Sequence, residues 1–259
     1  MDGYLSSVSW KQLTADYRVR LGEPPASSIR TIALSQLHDE AACRDYLSWL
    51  KDYIGAPDTQ VAASMLAKRI GYLWIAPLLT AMTFHNREVS IALDKSYLYH
   101  PDLSAGQGDT RFPFLALDGL LTAAAPLDNR TVWREEVVKQ IVAEQLAPLL
   151  QTLAAAGPVS MAILWENIMV RIAPLYAPGT EESEQEQQRM SEDFTYLTKI
   201  APGSLFGMNR NPFTRFTVND EEVLVAKKKR ITCCFYYRMS GEYCVKCPKI
   251  DNENESQLK

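Results

Sequence analysis

The sequence predicts a mainly α-helical protein with a few short β-strands (α+β), ending in a β-hairpin that leads into a loop of four cysteines. Three observations carry this. Apolar residues recur at helical spacing through residues 34–84 and 128–176. Short β-compatible runs separated by Pro and Gly fill residues 89–121. Four of the five cysteines fall within residues 233–247. Residues 1–212 read as a mostly helical core. Residues 213–259 read as the hairpin and cysteine segment, packed on that core within one domain or as a small subdomain.

In chain order, Leu37, Ala41, Leu47, Leu50 and Ile54 define an amphipathic helix over residues 34–54, closed by Gly55 and Pro57. Asp58 reads as the N-cap of a longer helix through Phe84, carrying Val61, Met65, Leu73 and Leu78 inward and bending near Pro77. Its uninterrupted apolar part, residues 70–84 beside Lys68 and Arg69, is short of the roughly 20 residues a bilayer requires, so it is a core helix. Cys43 has no local partner and reads as a packing residue.

The runs VSIAL and FPFLAL suggest that a small sheet starts in residues 89–121. His85 and His100 lie at its edges without spaced partners and are assigned no role. Asp128 or Asn129 should start a helix that runs to about Ala155 and stops at Gly157-Pro158. Ser160 would cap the next, residues 161–176, which is apolar nearly all round. Within it Trp165 is a packing anchor, and Asn167 a buried amide that must find hydrogen bonds. The acidic, Gln-rich residues 181–193 read as a solvated helix face, and residues 213–218 and 222–227 as two strands about an Asn219-Asp220 turn. A polar tail follows Cys247.

The cysteines are spaced Cys233-Cys234-x9-Cys244-x2-Cys247. Four thiolates complete the ligand set of a tetrahedral zinc or of an iron–sulfur cluster, and free thiols or a disulfide are further alternatives. The adjacent pair separates them. Neighbouring side chains in extended backbone point to opposite faces, which suits the spread positions of a two-iron cluster better than chelation of one small ion. A dithiol oxidoreductase built on Cys244-Val-Lys-Cys247 would lack its usual βαβ setting.

TCCFYYR followed by YCVKC, near the C-terminus, resembles the FhuF-type ferric siderophore reductases, whose Cys-Cys-x10-Cys-x2-Cys pattern holds a [2Fe-2S] cluster. Leu164-Trp165-Glu166-Asn167 and the hairpin-like run before the cysteines also resemble that family, together about a third of the chain. The loop here is one residue shorter, nine instead of ten, and the deletion spares both ligand pairs. The resemblance implies an oxidoreductase of iron uptake, with Cys233, Cys234, Cys244 and Cys247 holding the cluster. It would reduce a ferric siderophore of hydroxamate or citrate-hydroxamate type by one electron, supplied by a ferredoxin-like or flavin protein. Lys227, Lys228, Lys229, Arg230, Arg238 and Lys246 are candidate substrate contacts: their charge would favour the reduced cluster and draw an anionic chelate or an acidic donor. A solvated strand end would explain the basic run equally well. Tyr236, Tyr237 and Tyr243 could shield the cluster or line the substrate site; local packing is the simpler assignment.

Other classes are weaker. A net charge of -4 argues against a nucleic-acid binder. No Gly-x-Gly-x-x-Gly opens a helix, so electrons must come from another protein, and no Gly-x-Ser-x-Gly hydrolase motif is present. The N-terminal MDGYLSSVSW has no signal-peptide pattern, which with the absence of a transmembrane pattern predicts a cytoplasmic protein. The alternative to a reductase is a binding or scaffold protein stapled by a structural zinc on the same thiolates.

Overall fold

The structure is a computed structural model of the 259-residue chain and describes residues 14–106, 108–177, 183–214 and 229–250. It is mainly α-helical with a few short strands, as the sequence predicts. Strands β1 (Val19–Leu21) and β2 (Arg30–Ala33) come first, then helix α1 (Glu40–Ile54). Helices α2 (Thr59–Ile70) and α3 (Ala76–His85) follow. Next come β3 (Arg87–Ile91), β4 (Ser96–His100), β5 (Phe114–Leu117) and β6 (Leu120–Ala124). The remaining helices are α4 (Arg130–Val138), α5 (Ala147–Ala156), α6 (Met161–Ile172), α7 (Glu184–Thr195) and the short α8 (Tyr237–Ser240).

The small sheet expected after residue 89 is two sheets. One has strand order β1-β5-β4-β2, with β1 parallel to β5 and the other pairings antiparallel; the second pairs β3 with β6 from Arg87↔Ala124 to Ile91↔Leu120. β1 and β2, which the sequence reading missed, are too short for their alternation to stand out. The predicted helix over residues 34–54 is divided: a 3-10 turn, Leu34–His38, stops at Asp39, whose carboxylate accepts from the Ala42 N–H at 2.8 Å and restarts the chain as α1. Gly55, at φ 74°, ends α1, and Asp58 caps α2 through the Val61 N–H at 3.0 Å, both as expected. Ser160 stands at the start of α6, but its hydroxyl makes no capping bond.

The bend expected near Pro77 is a π-helical turn, Gly71–Ile75, joining α2 to α3. The same device recurs in Lys139–Leu146 between α4 and α5, and in Tyr196–Ile200 after α7. Each ends at an Ala-Pro pair, and Ala76, Ala147 and Ala201 donate to the carbonyl five residues back. A proline ring crowds the carbonyl four residues before it, and the wider turn relieves that crowding; the first two turns continue as α3 and α5, whereas Ala201 leaves the helix at ψ 127°. After α6 the pair Ala173-Pro174 instead tightens the chain into a 3-10 turn, Ala173–Tyr176, so the predicted helix over residues 161–176 stops being α-helical at Ile172.

The core lies between α1, α2, α5 and α6, with Tyr46, Trp74 and Trp165 among its largest fully buried side chains. Trp165 is the anchor expected of it, packed edge-on against Phe206 and Phe213 at 5.1 and 5.6 Å. Cys43 is fully buried in this core, and burial pushes its thiol up to about 12. The helix expected within residues 181–193, observed as α7, is solvated on one face only. Asp193 is buried, accepts two bonds from Arg130 at 2.8 and 2.7 Å, and accepts another from Thr83 Oγ1 at 2.9 Å. Among the described residues no helix is long and apolar enough to cross a membrane. Residues 215–228, which include most of the expected hairpin and both Lys227 and Lys228, lie outside the described residues.

Candidate metal centre

The four cysteines lie in one segment, residues 229–250, laid across α2 and α6. Cys234 is buried and belongs to the main core, with Phe235, Tyr236, Met239 and Cys244 packed against that core. Three side chains of the helical core fasten the segment. Ser64 of α2 donates to the Cys234 carbonyl at 2.9 Å. Glu166 of α6 accepts the Ile231 and Thr232 N–H groups at 2.6 and 2.7 Å, and also the Thr232 hydroxyl. Asn167 donates to the Ser64 carbonyl and hydroxyl at 2.8 and 2.9 Å and accepts from Arg230 at 2.6 Å, the buried bonds its amide requires. Glu166 and Asn167, with Ser64, are thus the clamp of the cysteine segment.

The chain turns sharply at Phe235, whose φ of 64° is rare for a residue with a Cβ. Its N–H points back to Cys233 Sγ at 3.4 Å. α8 follows and closes at Gly241 with φ 77°. The Cys-x2-Cys half is a tight turn in which the Cys247 N–H donates to the Cys244 carbonyl at 2.8 Å. Adjacent cysteines consequently take different partners. Cys234 Sγ stands 3.8 Å from Cys244 Sγ, while Cys233 Sγ faces the Phe235 N–H. Two sulfurs on one tetrahedral ion with metal–sulfur bonds of about 2.3 Å stand roughly 3.8 Å apart. Among the described residues no three His, Cys, Asp or Glu donors converge on one metal position, so the Cys234–Cys244 pair is the closest approach to a ligand set.

The local electrostatics favour a thiolate at Cys234 and oppose one at Cys233 and Cys244. Cys234 is lowered, chiefly by its contact with the Cys244 thiol, against burial and with help from Arg230. Cys244 is raised by that same contact and by burial. Burial raises Cys233. Arg230 is 5% exposed and braced by Asn167, with Glu166 at 3.8 Å, yet its Nη1 is buried without a partner. The structure thus brings Cys234 and Cys244 together, gives Cys233 Sγ a peptide N–H, and leaves an orphaned Arg230 N–H within electrostatic reach of Cys234.

The candidate substrate contacts scatter. Arg230 is an internal brace, neither a solvated strand end nor an open contact surface. Arg238 pairs with Asp58 and donates to Gln60 at 3.2 Å, docking α8 on the start of α2. Lys229 donates to the Ile250 carbonyl at 2.6 Å. Lys246 is half-buried, and that burial lowers its pKa. Tyr237 packs on Tyr243 at 5.2 Å and receives the Lys249 ammonium at 3.0 Å, which is local packing. Tyr236 instead lies below Lys68, 6.0 Å from its ring centre. The sequence reading missed Lys68 and Arg171, which the fold brings beside the thiols. Only a pairing of α2 with α6 could have revealed them. Comparison with known proteins found no matching protein-family model and no matching curated protein.

Proposed function

We propose that the protein is a ferric siderophore reductase of the type its cysteine pattern resembles, with Cys233, Cys234, Cys244 and Cys247 as ligands of a [2Fe-2S] cluster. The observation that supports this reading is the approach of Cys234 Sγ to Cys244 Sγ at 3.8 Å within the short segment that also carries Cys233 and Cys247. Such a cluster, when bound, supplies one electron, the stoichiometry that converts Fe(III) to Fe(II). The chain's own part is support. Glu166, Asn167 and Ser64 hold the ligand segment on the helical core, and Arg230 places positive charge where the thiolates are negative. Phe235, Tyr236 and Met239 pack between the segment and the core, limiting water on that side. A ferric chelate would lie outside the half-exposed Cys233 and Cys244, within a short electron path. Hard oxygen donors hold Fe(III) far better than Fe(II), so one electron loosens the chelate and no acid–base residue is required.

The electron would come from a ferredoxin-like or flavin protein. The test is anaerobic mixing of the reduced protein with ferric hydroxamate and ferric citrate-hydroxamate chelates in the presence of a ferrous-specific chromogenic chelator. One ferrous ion per electron stored, lost on Cys→Ser replacement at any of the four positions, supports the reading. Unaltered ferric chelate defeats it. A zinc-stapled scaffold is the second reading, favoured by the Cys244–Cys247 turn, which has the form of a zinc knuckle half.

A further inference from the structure

Beside the thiols, α2 and the π turn after it cross α6 at close range. A Cβ on Gly71 would stand 3.2 Å from Ile168 Cα and 3.3 Å from Arg171 Cβ, so glycine is what permits this approach. The crossing gathers like charges. The Tyr72 ring has Arg69 and Arg171 at 5.7 and 5.8 Å from its centre, and Lys68, one turn before Tyr72, lies over Tyr236 of the cysteine segment. Lys68 and Arg171 have no carboxylate partner among the described residues, and Arg69 has only the Pro113 carbonyl, at 2.8 Å, while its Nη2 is buried and unpartnered. The acidic neighbour Asp109 is already paired with Arg18 at 2.6 Å. Burial lowers Lys68 and Arg69, and the exposed Arg171 repels both, so the fold gathers these cations against their own charge. An arrangement of this kind is relieved by an anion. The charges of Cys234 and Cys244 are felt at Lys68, and that of Cys234 at Arg171, so an anion held here would be near the thiols.

We infer that Lys68, Arg69 and Arg171 form an anion-recognition shelf for the substrate, selecting ferric chelates with net negative charge from carboxylates over neutral tris-hydroxamates. This rests on the reductase reading and names its substrate class. Guanidinium forks match carboxylates in geometry as well as charge, and Tyr72 and Tyr236 supply apolar walls. A compact chelate fits better than the acidic face of a protein, because Lys68 and Arg69 are half-buried between the helices and only Arg171 stands exposed.

The test uses gallium(III)–citrate, a redox-inert anionic probe, and a neutral gallium(III) tris-hydroxamate, titrated calorimetrically into the full chain and into its Lys68→Met/Arg171→Met variant. A thermal melt confirms the fold, and a Lys68→Arg/Arg171→Lys variant retains the charge. The shelf predicts that the Met variant loses at least about tenfold in affinity for the citrate complex, one decade being about 1.4 kcal/mol, while the charge-retaining variant keeps most of it. The neutral probe should change less than about twofold, and salt should weaken only the anionic probe. Equal citrate affinity in wild type and Met variant overturns the shelf, as does a variant that only takes up electrons more slowly from an acidic donor protein. Reduction of neutral chelates with charge-independent citrate binding leaves the reductase reading standing without the shelf. Charge-dependent citrate binding with no chelate reduced leaves the shelf standing and removes the reductase reading.

Discussion

Replacing Glu166 with Gln should release the cysteine segment from the helical core. The Glu166 carboxylate accepts two backbone N–H groups and one hydroxyl from residues 231 and 232 and faces the buried Arg230 at 3.8 Å. Glutamine keeps the shape but turns one acceptor into a donor aimed at an N–H, and it leaves the Arg230 charge without its counter-ion. Breaking a buried ion pair by removing one partner costs about 3–5 kcal/mol, and the orphaned N–H adds to that. The cost falls on the segment first, because the α2–α6 crossing has its own buried contacts. Three kcal/mol corresponds to roughly a hundredfold rise in the open population of the segment. Native-state hydrogen exchange reads this directly: the Ile231 and Thr232 amides should exchange at least about a hundredfold faster in Glu166→Gln, with the core helices far less affected. Acceleration of these amides below about fivefold would refute the clamp, since it would mean that the carboxylate holds the segment no better than water.

Serine at Cys233, Cys234, Cys244 or Cys247 should abolish visible absorbance and ferric reduction, while Cys43→Ser leaves both intact; a coloured, active Cys233→Ser/Cys234→Ser protein would rule out the ligand assignment. His100 is buried, with Nε2 accepting from the Tyr46 hydroxyl at 2.8 Å and Nδ1 donating to the Arg111 carbonyl at 3.1 Å, and burial lowers it to about 4. Between about 6.5 and 4 the unfolded chain binds this proton and the folded chain does not, so stability falls by about 3 kcal/mol as the pH drops through that window. Denaturant titrations should show that slope reduced in His100→Gln. Asp193→Ala should cost about 3–5 kcal/mol in the same titrations by stranding Arg130, whereas alanine at the exposed Glu184 should change stability by less than about 0.5 kcal/mol.

Much of the helical frame can be read locally, because its signals are local. Asp58 caps, Gly55 stops, and Gly157 closes the helix that Asn129 opens. Asp39 was legible as a cap but was hidden by apolar residues that continue the helical period across it. The Ala-Pro pairs mark each irregular turn, yet sequence alone suggests a break where the structure widens the helix. Asp193 sits in a run of acidic and Gln residues and looks solvated; its burial depends on Arg130, 63 positions away. Spacing likewise singled out the four cysteines and Asn167, because chelation and amide satisfaction are properties of residue type. It could not rank the basic residues. The run at 227–230 stood out by density, but Arg230 is spent inside the fold, and the cations left beside the thiols come from two helices far apart in sequence, whose close approach Gly71 permits.

The central claim, that these four thiolates hold a two-iron cluster, is tested most directly by the visible spectrum of protein purified without oxygen, before and after dithionite, with iron, sulfide and zinc measured on the same sample. A red-brown protein whose bands bleach on reduction, with about two irons and two sulfides per chain, is the predicted result. A colourless protein carrying stoichiometric zinc would contradict it and make the cysteine segment a structural staple.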